Sequence, residues 1–85
     1  MTKVTLVYTK TCSYCPAAKQ LWKDLQKQHK FDYEEVDAVS PKGQVLVTKF
    51  GIMAVPTTII EKNGKSEVAF TGVPNKEKAV EKVSR

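Results

Sequence analysis

The sequence predicts an α/β fold, a four-stranded mixed sheet flanked by three helices in the order βαβαββα. Three observations carry that expectation. Short apolar runs alternate with stretches of helical period, Asn63-Gly64 is the strongest short hairpin signal in the chain, and Cys12-Ser13-Tyr14-Cys15 sits where the first apolar run gives way to the first helical period.

The elements follow in order. Residues 3–8 read as a buried strand, with Val4, Leu6 and Tyr8 on one face and Thr5 and Val7 on the other. Ala18, Leu21, Trp22 and Leu25 recur at helical spacing, with Lys19, Lys23, Gln26 and Lys27 opposite. This predicts a helix from near Cys12 to about His29, with Trp22 in the core. Pro16 falls in its first turns, where a missing N–H costs little. Residues 31–37 read as a second strand. Ser40 and Pro41 supply a cap and first-turn pair for a second helix that ends at Phe50, with Gly51 as its stop, although Val45, Val47 and Thr48 are β-branched and suit a strand almost as well. Residues 57–61 form a third strand, and residues 66–71 return antiparallel after the turn. Gly72-Val73-Pro74-Asn75 ends the sheet, and Asn75 can cap a last helix whose Ala79, Val80 and Val83 face inward. Helices are expected on both faces; strand adjacency does not follow from the order of elements.

At 85 residues the chain is expected to be one domain, 1–85, with a single core and no room for a nucleotide-binding domain. Any flavin or nicotinamide would sit on a partner. The net charge of +5 rests on 14 basic residues, and the single Arg is Arg85. The lysines are spread over the polar positions of amphipathic segments, without the Arg and stacking residues of a nucleic-acid site, so no nucleic-acid partner is expected. The charge can still bias the protein toward acidic protein partners. No membrane span or apolar leader is expected, and the location inferred is cytoplasmic.

Cys12 and Cys15 are the only cysteines. A ring closed at C-x-x-C spacing removes little chain entropy, which argues against a structural staple. A thiol in the first turn of a helix faces unpaired N–H groups and the positive end of the macrodipole, which favours thiolate. Metal binding is the rival reading, since C-x-x-C is half of many zinc sites, but a closed site needs four ligands and the chain offers one histidine, His29. His29 itself reads as a solvated residue of the helix end. No metal is expected.

Gly51-Ile52-Met53-Ala54-Val55-Pro56-Thr57-Thr58 is the second informative segment, with a proline just before a strand. With the C-x-x-C pair it resembles the thioredoxin superfamily. C-x-x-C-P-A-A-K at 12–19, G-I-M-A-V-P-T at 51–57 and F-x-G-x-P-x-K-E at 70–77 are similar to the small archaeal thioredoxins, across essentially the whole chain. The resemblance implies a thioredoxin fold, disulfide reduction and a cis Val55–Pro56 bond. Three departures stand out. Thr11 replaces the tryptophan before the first cysteine, Ser13-Tyr14 replaces Gly-Pro, and Leu6 stands where thioredoxins carry a buried acid, leaving Glu35 or Asp37 as weak substitutes. Ser13-Tyr14 resembles glutaredoxin centres, which implies the alternative of a glutathione-dependent oxidoreductase, or a dimer bridging a [2Fe–2S] cluster. Gly72 stands alone where a glutaredoxin has paired glycines and an Asp-containing turn.

The expected mechanism uses Cys12 as the attacking thiolate, with Lys10 and Ser13 nearby to stabilise it, and Cys15 as the resolving thiol. The backbone of Val55, beside Pro56, would meet the substrate chain as an antiparallel edge. Tyr14, Met53, Ala54 and Val73 would form an apolar collar. No external cofactor is expected beyond the redox-active disulfide. The expected partners are disulfide-containing client proteins and a separate reductase, with the protein itself a monomer.

Overall fold

In the computed structural model, which describes residues 2–83, the sheet runs β2-β1-β3-β4. The elements are β1 (Thr2–Tyr8), α1 (Cys15–Gln26), β2 (Asp32–Asp37), α2 (Pro41–Phe50), β3 (Thr57–Lys62), β4 (Lys65–Thr71) and α3 (Lys76–Val83). β1 is parallel to β2 and antiparallel to β3, and β3 is antiparallel to β4. Tyr8 pairs with Asp37, Val7 with Thr57, and Thr57 with Thr71. The register therefore gathers four junctions at one end of the sheet: the exits of β1, β2 and β4 and the entry of β3.

Side-chain alternation divides the sheet into two faces. Val4 and Leu6 join Ile60 with Ala18, Trp22 and Leu25 of α1 and Ala79 and Val83 of α3 in one buried cluster. Trp22 is its centre, fully buried, with Phe31 edge-on at 6.0 Å and Phe70 tilted at 6.2 Å. The indole N–H, which would otherwise be an unmet donor in the core, donates to Thr58 Oγ1 at 3.1 Å. The opposite face, with Thr5, Val7, Val36 and Ile59, is left to α2.

Helix ends follow local chemistry. Ser40 Oγ accepts from Gly43 N–H at 3.0 Å, Pro41 occupies the first turn, and Gly51 adopts φ 63° and ψ 39° to stop α2. Those signals outweigh the β-branched residues inside the helix. Asn75 Oδ1 accepts from Glu77 N–H at 2.8 Å to open α3. Asn63 and Gly64 both take positive φ, 53° and 81°, as a tight hairpin of primed type requires.

α1 is shorter than its sequence pattern. It begins at Cys15 because an earlier start would require Pro16 to donate a helical N–H that it lacks. It ends at Gln26, after which Lys27 and Gln28 bond back to Asp24 and Leu25 at i−3 spacing. Phe31 faces inward onto Trp22, and β2 starts at Asp32, one residue later than expected. His29 accordingly lies beyond the helix and is half-buried rather than solvated on a last turn.

Candidate active site

Cys12 and Cys15 are joined by a disulfide with their Cα atoms 5.4 Å apart. The two cysteines differ in exposure. Cys15 is the first residue of α1 and 2% exposed, whereas Cys12 lies in the turn after β1 and is partly open to solvent. The turn is held by Cys12 N–H donating to the Thr9 carbonyl at 3.3 Å. Cys12 thus stands three residues ahead of α1 rather than inside its first turn, a correction that follows from Pro16. The electrostatic argument survives the shift. α1 has no side-chain cap at Tyr14 and no acidic residue in its first turn, so the positive end of the helix is uncompensated where Cys15 holds Cys12.

The other candidate residues converge on the same sheet end from separate elements. The Val55–Pro56 bond is cis. Pro56 is buried, and its carbonyl accepts from Gly72 N–H at 2.7 Å, tying the loop before β3 to the turn after β4. Thr57 Oγ1 donates to the Ala54 carbonyl at 2.5 Å. That fastening escaped the sequence reading, although a threonine directly after Val55-Pro56 was its available signal. Met53 is 98% exposed, Tyr14 70% and Val73 43%, with Ala54 also exposed and Val55 half-buried. Tyr14, Met53, Ala54 and Val73 thus leave apolar surface in water on three loops at the same end of the sheet as the disulfide. Lys10 and Ser13 are exposed in the β1–α1 turn.

A hollow of about 850 Å³ lies at the far end of the sheet between the hairpin and α3, and a smaller one of about 290 Å³, lined by Phe50, Met53, Val68 and Thr71, flanks the Met53 loop.

Leu6 is fully buried, in register with Glu35 on β2 and Thr58 on β3. Both acidic substitutes have other partners. Glu35 accepts from the Tyr33 hydroxyl at 2.9 Å and lies 3.9 Å from Lys23, and Asp37 accepts from Val39 N–H at 3.0 Å. Burial, reinforced by Glu35, pushes the Tyr33 hydroxyl far above its ordinary range and keeps it neutral. Lys19 was also missed as a neighbour of the site: its ammonium lies 3.6 Å from the Tyr8 ring centroid. No sequence spacing could show a contact between two elements.

A family model described as "Thioredoxin domain" matches residues 2–84. The chain belongs to the thioredoxin family. It is 34% identical over 84 residues to the thioredoxin of Methanocaldococcus jannaschii, covering 98% of this chain and 93% of that protein. It is 32% identical over 84 residues to a probable thioredoxin of Methanothermobacter marburgensis, covering 96% and 92%. Among solved structures, a mutant thioredoxin from Halobacterium salinarum aligns with TM-score 0.83 at 18% identity, covering 98% of this chain and 72% of that one. Fasciola hepatica thioredoxin aligns with TM-score 0.80 at 24% identity, covering 99% and 79%. These two show the fold.

As a small archaeal-type thioredoxin with a Cys12/Cys15 pair, the protein is a thiol–disulfide oxidoreductase. Thioredoxins carry electrons on their own dithiol, so the chemistry calls for no separate cofactor. Among the described residues no group of three or more His, Cys, Asp or Glu is placed to hold a metal ion. The glutaredoxin alternative gains nothing from these relatives. No helix among the described residues is long and apolar enough to cross a membrane.

Proposed function

We propose that this thioredoxin-family chain reduces disulfides in client proteins, with Cys12 attacking and Cys15 resolving. The unequal exposure of the two cysteines supports this division of roles. The Cys12 thiolate attacks one sulfur of the client disulfide, forming a mixed disulfide and releasing the other client sulfur as a thiolate. Cys15, deprotonated, then attacks Cys12 Sγ, which frees the second client sulfur and leaves the Cys12–Cys15 disulfide. Two electrons pass to the client, and the protons given up by the two enzyme thiols end on the client thiols. A separate reductase returns two electrons to the pair.

Lys10, Ser13 and the uncapped start of α1 favour the Cys12 thiolate. The backbone of Val55, next to Pro56, receives the client chain as an antiparallel edge, a contact nearly blind to side-chain identity. Tyr14, Met53, Ala54 and Val73 shield the exchanging sulfurs. The protein acts as a cytoplasmic monomer, one domain over residues 1–85.

The test is insulin-disulfide reduction run beside reduction of a glutathione mixed disulfide, together with trapping. Cys15→Ser should accumulate client mixed disulfides through Cys12, and Cys12→Ser should trap none. Equal trapping by both variants would overturn the assignment of roles. Turnover in the glutathione assay alone would replace the reading with a glutaredoxin one.

A further inference from the structure

Charge is sorted along the strand axis. Of the nine carboxylates, three stand on β2 short of its exit, two on the hairpin strands, and Asp24 and Glu81 in the closing turns of α1 and α3. Among the described residues only Asp37 and Glu77 stand at the cysteine end, and Asp37 already accepts from Val39 N–H. The lysines at that end arrive from four directions. Lys10 precedes Cys12 in the turn, and Lys19 lies over the Tyr8 ring. Lys49 closes α2, 5.5 Å from the centroid of Phe50, whose ring lines the hollow beside Met53. Lys76 and Lys78 open α3, just beyond Val73.

Ion pairing is uneven as well. Lys3, Lys23 and Lys82 each have a carboxylate within 4 Å, and so does Lys42, whose side chain runs from the first turn of α2 to Glu34 on β2. Among the described residues, none of the five lysines around the cysteine end has one. Lys19 is held against an uncharged ring, so its charge is positioned without being neutralised.

We infer that this basic rim selects clients whose reactive disulfide is flanked by Asp or Glu, a specificity that rests on the reductase reading above. The apolar collar and the backbone edge discriminate little between client sequences. Charges on an interface rim instead change encounter rate and its salt dependence. At physiological ionic strength the Debye length is about 8 Å, so lysines ringing the disulfide act on residues close to the scissile bond and are screened from those further away.

The experiment uses the full chain, pre-reduced and freed of reductant, in single turnovers with three peptides. Each carries the same disulfide loop flanked by Asp, Ser or Lys, and quenched samples are separated by chromatography. The Asp peptide should react fastest and the Lys peptide slowest, with a spread on the order of tenfold at low salt. The spread should collapse near 1 M salt, where the Debye length is about 3 Å. Lys76→Glu with Lys78→Glu should narrow it. Lys27→Glu with Lys30→Glu, at the far end and with the same change in net charge, should leave most of it. Equal rates on the three peptides, or equal narrowing by both double variants, would overturn the inference while leaving the reductase reading intact. Failure to reduce any of the three would overturn both.

Discussion

Gly43→Ala places a methyl group where α2 meets the end of β2, and the structure sets the scale of the damage. The new Cβ would lie 2.7 Å from the Asp37 carbonyl carbon and 2.8 Å from Ala38 Cα, closer still to the Asp37 carbonyl oxygen, where ordinary contact begins at 3.4 Å. Every one of those atoms is backbone and cannot rotate away. Alanine would otherwise favour the helix by about 0.8 to 1 kcal/mol. Relief of the overlap requires α2 to lift, and overpacking of this kind costs about 1 to 3 kcal/mol. Lifting also stretches Gly43 N–H from Ser40 Oγ, and Ser40 Oγ from the Asp37 carbonyl, which it now meets at 2.6 Å. Loss of a helix cap adds about 1 kcal/mol. The net expectation is a destabilisation of about 1 to 3 kcal/mol, which at a urea slope near 1 kcal/mol/M lowers the midpoint by about 1 to 3 M. Because α2 leads into the loop bearing Met53 and Val55, the folded variant should also reduce insulin more slowly. A variant as stable as the parent would refute the claim that this helix must touch the strand end.

Other changes test the core and the charges. Trp22→Phe keeps an aromatic ring but removes the donor to Thr58, leaving a buried hydroxyl unmet, and should cost about 1 to 3 kcal/mol in chemical denaturation. Glu34 is held below the ordinary carboxylate range by hydrogen bonds from Lys42 and Lys3, so its contribution is complete above the unfolded carboxylate pKa, about 4.3, and lost as pH falls through the lower folded value. Glu34→Gln should flatten the acid limb of the stability curve by about 0.2 to 1 kcal/mol, the scale of exposed pairs. Tyr33 has the opposite sign: its raised pKa contributes stability that is whole below about pH 10 and declines above it, where the unfolded chain ionises first. Tyr33→Phe should remove that alkaline decline in urea melts taken between about pH 9 and 11.

Much of the fold was legible because its signals are local. Ser40, Pro41 and Gly51 bound α2 within a few residues, and Asn63-Gly64 forces its turn wherever the chain goes. The cysteine pair was legible for the same reason, since spacing alone limits what two thiols three residues apart can do. What escaped depends on pairs brought together by the fold. The sheet order and the seat of Lys19 on Tyr8 join residues of different elements, and so does the approach of Gly43 in α2 to Asp37 at the end of β2, near as they are in sequence. The overlong expectation for α1 had a different cause. Apolar periodicity continues through residues that face the core without being helical, and only the absent N–H of Pro16 and the inward turn of Phe31 mark the true ends.

The strand order leaves β2 and β4 with one unpaired side each, and β2 concentrates Asp32, Glu34, Glu35 and Asp37 in six residues. An open strand edge is a template on which another chain can add, and crowded like charge makes that addition repulsive. Two copies meeting β2 to β2 would set four carboxylates against four. The acidic edge strand therefore disfavours growth of the molecule into fibrils along its own sheet. The protection is electrostatic, so acid or very high salt withdraws it while the backbone edge stays in place.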